Sequence, residues 1–176
     1  MRPALLLFLT LATPLAAQAP DTVSDRLAYF ETGVICPPPS VGTVPAPGTV
    51  AGTTHLIEDE PPFVSTGTRV PAVIGIGFGA KAQAKAFGLT EVDVQVTHPA
   101  MGPDGATRQS FRTRIDATEP SLTFYQFDFD YELVEGLWQI EALKDGETLY
   151  RATFEVVPAQ DLPALARVCG FEHLLS

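Results

Sequence analysis

Residues 136–157 read GLWQIEALKDGETLYRATFEVV. Trp138, Ile140 and Ala142 recur at every second position, and further on so do Tyr150, Ala152, Phe154 and Val156. A period of two, with apolar residues on one side, marks a half-buried strand. Between the two runs stands Lys144-Asp145-Gly146-Glu147. Asp-Gly suits a type I′ turn because both central residues of that turn need positive φ. The stretch therefore predicts an antiparallel hairpin with one apolar face. Such a hairpin is marginal alone and needs further strands against that face.

The rest of the chain supplies them. Residues 21–26 read as a short polar lead, and residues 27–36 predict a strand with Phe30, Thr32, Val34 and Cys36 on one side. Residues 36–52, CPPPSVGTVPAPGTVAG, are dense in proline, which has no amide to donate and fixes φ. That excludes a central strand and predicts an extended surface connection. A short strand over 53–57 ends at Glu58-Asp59-Glu60-Pro61-Pro62. Residues 69–79 predict a strong strand with Val70, Ala72, Ile74, Ile76 and Phe78 inward. Its other face carries Gly75 and Gly77, which predict close approach by a neighbour. Residues 80–88 read either as two helical turns or as more of that strand.

Residues 91–97 alternate cleanly, a turn is expected over 98–105, and residues 107–115 predict its partner strand. Gln109, Phe111, Thr113 and Ile115 share one face of that strand, and Arg108, Ser110, Arg112 and Arg114 the other. A strand over 121–131 is expected to group Tyr125, Phe127, Phe129 and Tyr131, with Asp128 and Asp130 opposite. Residues 158–175 predict a helical turn or two. Seven or eight short strands with turn signals every 8–12 residues point to an all-β sandwich. Phe78, Phe111, Phe127, Phe129, Trp138, Tyr150 and Phe154 are the expected aromatic core.

The first 19 residues follow another logic. Arg2 precedes ALLLFLTLATPLA, and small residues stand at Ala16, Ala17 and Ala19. That is the pattern of a secretory signal peptide, with an apolar run too short to span a membrane. Cleavage after Ala19 fits the Ala17-Gln18-Ala19 pattern, whereas Pro20 behind it leaves cleavage after Ala17 open. Residues 20–176 are then one domain with a C-terminal tail, in the periplasm or secreted. The net charge of −10 argues against nucleic-acid and anionic-membrane partners. Cys36 and Cys169 are an even pair in an exported chain, most simply a disulfide. Closing a loop of about 130 residues is worth roughly 4–5 kcal/mol in the chain-entropy model.

The Gly136-Leu137-Trp138, Asp145-Gly146 and Ala152–Val156 residues together resemble the closing hairpin of bacterial immunoglobulin-like domains. The wider chain, with GIGFG at 75–79 and two flanking cysteines, resembles an uncharacterised family of exported proteobacterial proteins, a domain of unknown function. The resemblance implies an immunoglobulin-like sandwich and a periplasmic address, and it brings no catalytic residue. The antibody-type Cys…Trp…Cys arrangement is missing, because both cysteines lie outside the core strands.

Candidate chemistry is sparse. His55 with Glu58, Asp59 and Glu60 has metal-binding residue types but no regular ligand spacing, so a solvated acidic loop is the expectation. Asp128 and Asp130 are raw material for acid–base catalysis. Cross-strand pairing with Arg108, Arg112 and Arg114 is the plainer role, and an anion-binding arginine face the sharper one. Gly75, Gly77 and Gly79 lack the following helix and GK[ST] of a phosphate loop. With neither a G-x-S-x-G elbow nor an H-E-x-x-H, and with His98 and His173 expected at the surface, no catalytic residue, cofactor or metal is assigned. The reading is an exported, non-catalytic interaction module for an envelope protein. Contacts are expected at the proline-rich 37–48 segment and the Arg108/Arg112/Arg114 face. The alternatives are a binder of carbohydrate or an anionic envelope component, and a metal-dependent enzyme using the His55 region.

Overall fold

The computed structural model describes residues 19–175, so the signal-peptide reading falls almost wholly outside the described residues. Eleven strands follow one another: β1 Thr22–Val23, β2 Leu27–Ile35, β3 Ser40–Pro45, β4 Thr53–Ile57, β5 Arg69–Pro71, β6 Gly77–Ala84, β7 Leu89–Met101, β8 Ala106–Ile115, β9 Ser121–Gln126, β10 Gly136–Lys144 and β11 Glu147–Val157. A seven-residue helix, α1 Pro163–Cys169, comes next. The main sheet runs β1-β11-β10-β7-β8, with β5 added in parallel to β11; the second runs β2-β6-β9; β3 and β4 form a hairpin of their own. The two larger sheets bury one apolar core between them. The fold is an all-β sandwich with a short C-terminal helix.

The β10–β11 hairpin has the expected register, with Trp138 opposite Phe154 and Ile140 opposite Ala152. Its turn places Asp145 at φ 54° and Gly146 at φ 83°. Phe78 sits at the centre of the core, its ring 5.0 Å from Phe154, 5.5 Å from Phe127, 5.7 Å from Trp138 and 6.0 Å from Tyr125. Each such ring buried in full is worth about 1.5–3 kcal/mol over leaving it in water. The close approach expected at the glycine face is also present. A Cβ on Gly79 would lie 2.1 Å from the Thr123 carbonyl oxygen, and one on Gly77 would lie 2.7 Å from Ile35.

More strands are present than the seven or eight expected, for identifiable reasons. The run over 69–79 is broken in two. Pro71 ends β5, a turn over Val73–Ile76 with Gly75 at φ 86° carries the chain to the other sheet, and β6 begins at Gly77. Ile74 is consequently 43% exposed. Residues 80–84 continue β6 with Ala80, Ala82 and Ala84 buried, so period-two alternation outweighs their helix propensity. The proline-rich segment contributes β3, an outlying strand paired only with β4. The 98–105 turn is shorter than expected, because an irregularity in register between Thr97 and Met101 lets β7 run through Pro99. The 121–131 strand stops at Gln126, and a 3-10 turn over Asp130–Glu132 leaves Phe129 45% exposed, stacked on Tyr131.

Cys36, immediately after β2, and Cys169, the last residue of α1, form a disulfide with Cα atoms 5.1 Å apart. Gly170 ends the helix at φ 79°, the left-handed geometry for which glycine is the common C-terminal residue.

Candidate functional site

Among the concave places with polar linings, two lie beside the β3–β4 hairpin and involve residues of β8. The first is the outer edge of β8. This strand has β7 on one side and no strand on the other. The Ser110 amide points outward and donates to the Gly48 carbonyl at 2.9 Å. Strand alternation turns the backbone groups of Arg108, Arg112 and Arg114 to that same side. Val44–Gly48 and Thr54 form one wall of the adjoining groove, and Ser110, Phe111, Arg112 and Asp93 the other, around about 560 Å³. The proline-rich segment and the arginine strand thus meet in one cleft.

The arginines are not paired with Asp128 and Asp130, because β8 pairs with β7 while those aspartates follow β9 in the other sheet. Arg112 instead contacts Glu91 at 2.5 Å and Asp93 at 3.2 Å, and Arg114 contacts Asp116 at 3.6 Å. Arg108 makes no ion pair among the described residues. Exposed pairs of this kind contribute little stability, typically below about 1 kcal/mol.

The second place is a cavity of about 50 Å³ under the hairpin, lined by Thr53, His55, Gln109, Tyr125, Gln126, Asp128 and Glu132 among others. Glu132 is 2% exposed and accepts three hydrogen bonds. Its Oε1 takes the Tyr125 hydroxyl at 2.5 Å, and its Oε2 takes the Asp128 and Phe129 amides at 2.6 and 2.9 Å. Gln109 Nε2 donates to Tyr125 Oη at 3.1 Å and faces His98 Nε2 at 3.2 Å, while the Gln109 side-chain oxygen accepts the Val50 amide at 2.7 Å. His98 Nδ1–H donates to the Pro99 carbonyl, and its ring stacks on Trp138 at 4.7 Å. Burial and the Glu132 carboxylate push the Tyr125 phenol well above its ordinary range. Burial draws the His98 imidazole below its usual value, partly opposed by its Pro99 hydrogen bond.

At the mouth, His55 Nε2 contacts Asp128 Oδ1 and His55 Nδ1 contacts Ser40 Oγ, each at 2.9 Å. The residue types are those of a nucleophilic triad, and Ser40 Oγ lies 2.9 Å from both His55 Nδ1 and the Gly42 carbonyl, so the imidazole and the carbonyl compete for its single hydrogen. The row clips β3 and β4 to the end of β9. It also turns His55 away from the acidic loop, where Glu60 instead accepts the Leu122 amide and pairs with Lys81. Among the described residues no three metal-ligating side chains converge.

A family model described as a domain of unknown function (DUF3859) matches residues 45–156, well over half of the chain. The chain belongs to that family. The match runs from the last residue of β3 to the penultimate residue of β11, so it holds the aromatic core, the β8 edge and the Gln109–Glu132 network, and leaves both cysteines outside. The DUF3859 chain is also similar to the crystal structure of an immunoglobulin-like protein from Pseudomonas aeruginosa. That likeness has 22% identity and a TM-score of 0.46, and covers 81% of this chain and 100% of the other. No curated protein matches.

Within the DUF3859 domain, sequence reasoning put His98 at the surface, whereas it is 4% exposed. The His98-Pro99 pair reads as a turn, and only the irregular register of β7 carries it inside. Glu132 was missed outright. The available signal was Gln109, a polar residue on a face otherwise made of Phe111, Thr113 and Ile115, since a polar group sent inward needs partners there.

Proposed function

We propose that the chain is exported by cleavage of residues 1–19 and acts in the periplasm as a non-catalytic interaction module. An extended segment of an envelope protein adds to the outer edge of β8. The supporting observation is the meeting of that edge with the proline-rich wall in one groove of about 560 Å³. Strand addition draws affinity from main-chain hydrogen bonds and specificity from alternate side chains. Beyond the Gly48–Ser110 contact the outward backbone groups of Arg112 and Arg114 supply the first, and the groove lined by Val44–Gly48 and Phe111 receives the alternate side chains.

The edge itself provides the test. Proline is tolerated on an edge strand when its nitrogen faces outward. Arg112→Pro therefore removes one outward amide while leaving the β7–β8 ladder intact, and Arg112→Ala controls for the side chain. A photo-crosslinking residue at Arg114 should yield a discrete protein adduct in the envelope. Arg112→Pro should lose that adduct with an unchanged circular dichroism spectrum. The same adduct at full yield from Arg112→Pro would refute strand addition at this edge.

A further inference from the structure

The donors and acceptors around the cavity under the β3–β4 hairpin do not balance. The nitrogen donors and the phenol named there are spent on protein acceptors: His55 Nε2 and Gln126 Nε2 on Asp128 Oδ1, Tyr125 Oη on Glu132, and Gln109 Nε2 towards Tyr125 and His98. The Thr53 hydroxyl on the same wall can donate or accept. What remains is an acceptor. Gln126 Oε1 is fully buried and has no hydrogen-bond partner among the described residues. Its orientation is fixed, because the Asp128 carboxylate, which accepts only, holds the amide's NH₂ end at 2.9 Å. An acceptor left bare in this way costs about 1–3 kcal/mol. Asp128 Oδ2 takes part in none of these contacts.

We propose that this cavity binds the head of a small protonated primary amine. The ammonium brings three N–H donors to an acceptor-rich wall, and its charge meets the Asp128 and Glu132 carboxylates. An anion would meet the same carboxylates with the wrong sign. A hard metal cation wants six or more oxygens, whereas no three metal-ligating side chains converge among the described residues. The volume of about 50 Å³ is several times what one water needs. A sugar ring is too large for it, so the site selects a head group with its tail directed out between the hairpin and β9. This inference is independent of strand addition at β8.

Trp138, the single tryptophan, supplies a reporter, since its ring lies 5.1 Å from that of Tyr125, whose hydroxyl rests on Glu132. The experiment titrates the protein, at constant ionic strength, with methylammonium chloride, tetramethylammonium chloride and sodium chloride. Both Trp138 emission and the thermal midpoint are read. A saturable response to methylammonium alone is expected. Nα-acetyl-lysine amide, added in a parallel arm, separates the two sources of an ammonium head: a response equal to that of methylammonium assigns the site to a lysine side chain, and no response assigns it to a free amine. Gln126→Met should weaken half-saturation by roughly tenfold or more, the worth of one hydrogen bond to a charged group. If that variant fails to fold, Asp128→Asn carries the same expectation of weakened binding. No response, an equal response to all three salts, or an undiminished response in the variants would overturn the proposal.

Discussion

His98 and Glu132 stand at opposite ends of one buried hydrogen-bonded row, and they obtain their satisfaction differently. Glu132 is held by three donors, two of them amides of its own turn. His98 remains neutral through burial, giving Nδ1–H to a carbonyl and facing Gln109 with the other nitrogen. Its folded-state affinity for protons lies below that of the unfolded chain, near pH 6.5. The unfolded state therefore takes up its proton first as pH falls, and the stability present above about pH 6.5 drains away below it. His98→Phe keeps a ring against Trp138 and removes the titration. Between about pH 7 and 5 the wild type should lose unfolding free energy faster than the variant in urea titrations. Parallel slopes would mean that His98 takes up its proton folded as readily as unfolded. Neither residue was legible from local pattern, since one follows a strand that stops early and the other precedes a proline in a register irregularity.

At the level of elements, the sequence was most readable where periodicity and turn chemistry agreed. The β10–β11 hairpin has both, and its pairing matches the alternation residue for residue up to the irregularity after Ala142. Where an apolar run contained a proline and a glycine, as in residues 69–79, alternation alone could not say that the chain would leave one sheet and enter the other. Two glycines separate these sources of order. Gly146 has open space around a would-be Cβ, so Gly146→Ala meets only the backbone cost of φ 83°, about 1 kcal/mol. Gly79 has no such torsion, but its Cβ would strike the Thr123 carbonyl at 2.1 Å and Phe124 Cα at 2.6 Å. Gly79→Ala forces β6 and β9 apart, and a cost of about 3 kcal/mol is expected for overpacking against backbone. Urea midpoints that rank the two variants the other way would refute this account of the β6–β9 interface.

On the scale of the whole molecule, the sandwich closes on itself through residues far apart in sequence. β11 gathers β1 from the start of the described chain, β5 from its middle and β10 from its own hairpin. The disulfide adds a covalent tie across 133 positions. Cys36→Ala together with Cys169→Ala should lower unfolding free energy by about 5 kcal/mol, the loop-closure entropy restored to the denatured chain. Coinciding urea midpoints for the double variant and the oxidised wild type would show that the bridge constrains nothing in the denatured state. The pairing was legible from parity and inferred compartment, whereas the site beneath the hairpin depended on contacts between sheets that no local pattern encodes.

That bridge also sets the route of mechanical load. A pull applied at the two ends of the described chain reaches Cys36 after β2 has been peeled away, crosses the sulfur–sulfur bond, and leaves through residues 170–175. The segment between the cysteines, which contains the aromatic core, the arginine edge and the amine cavity, is short-circuited and bears no tension. Stretching can uncover the edge of β6 that β2 covers, but the rest of the sandwich stays folded until the bond is reduced.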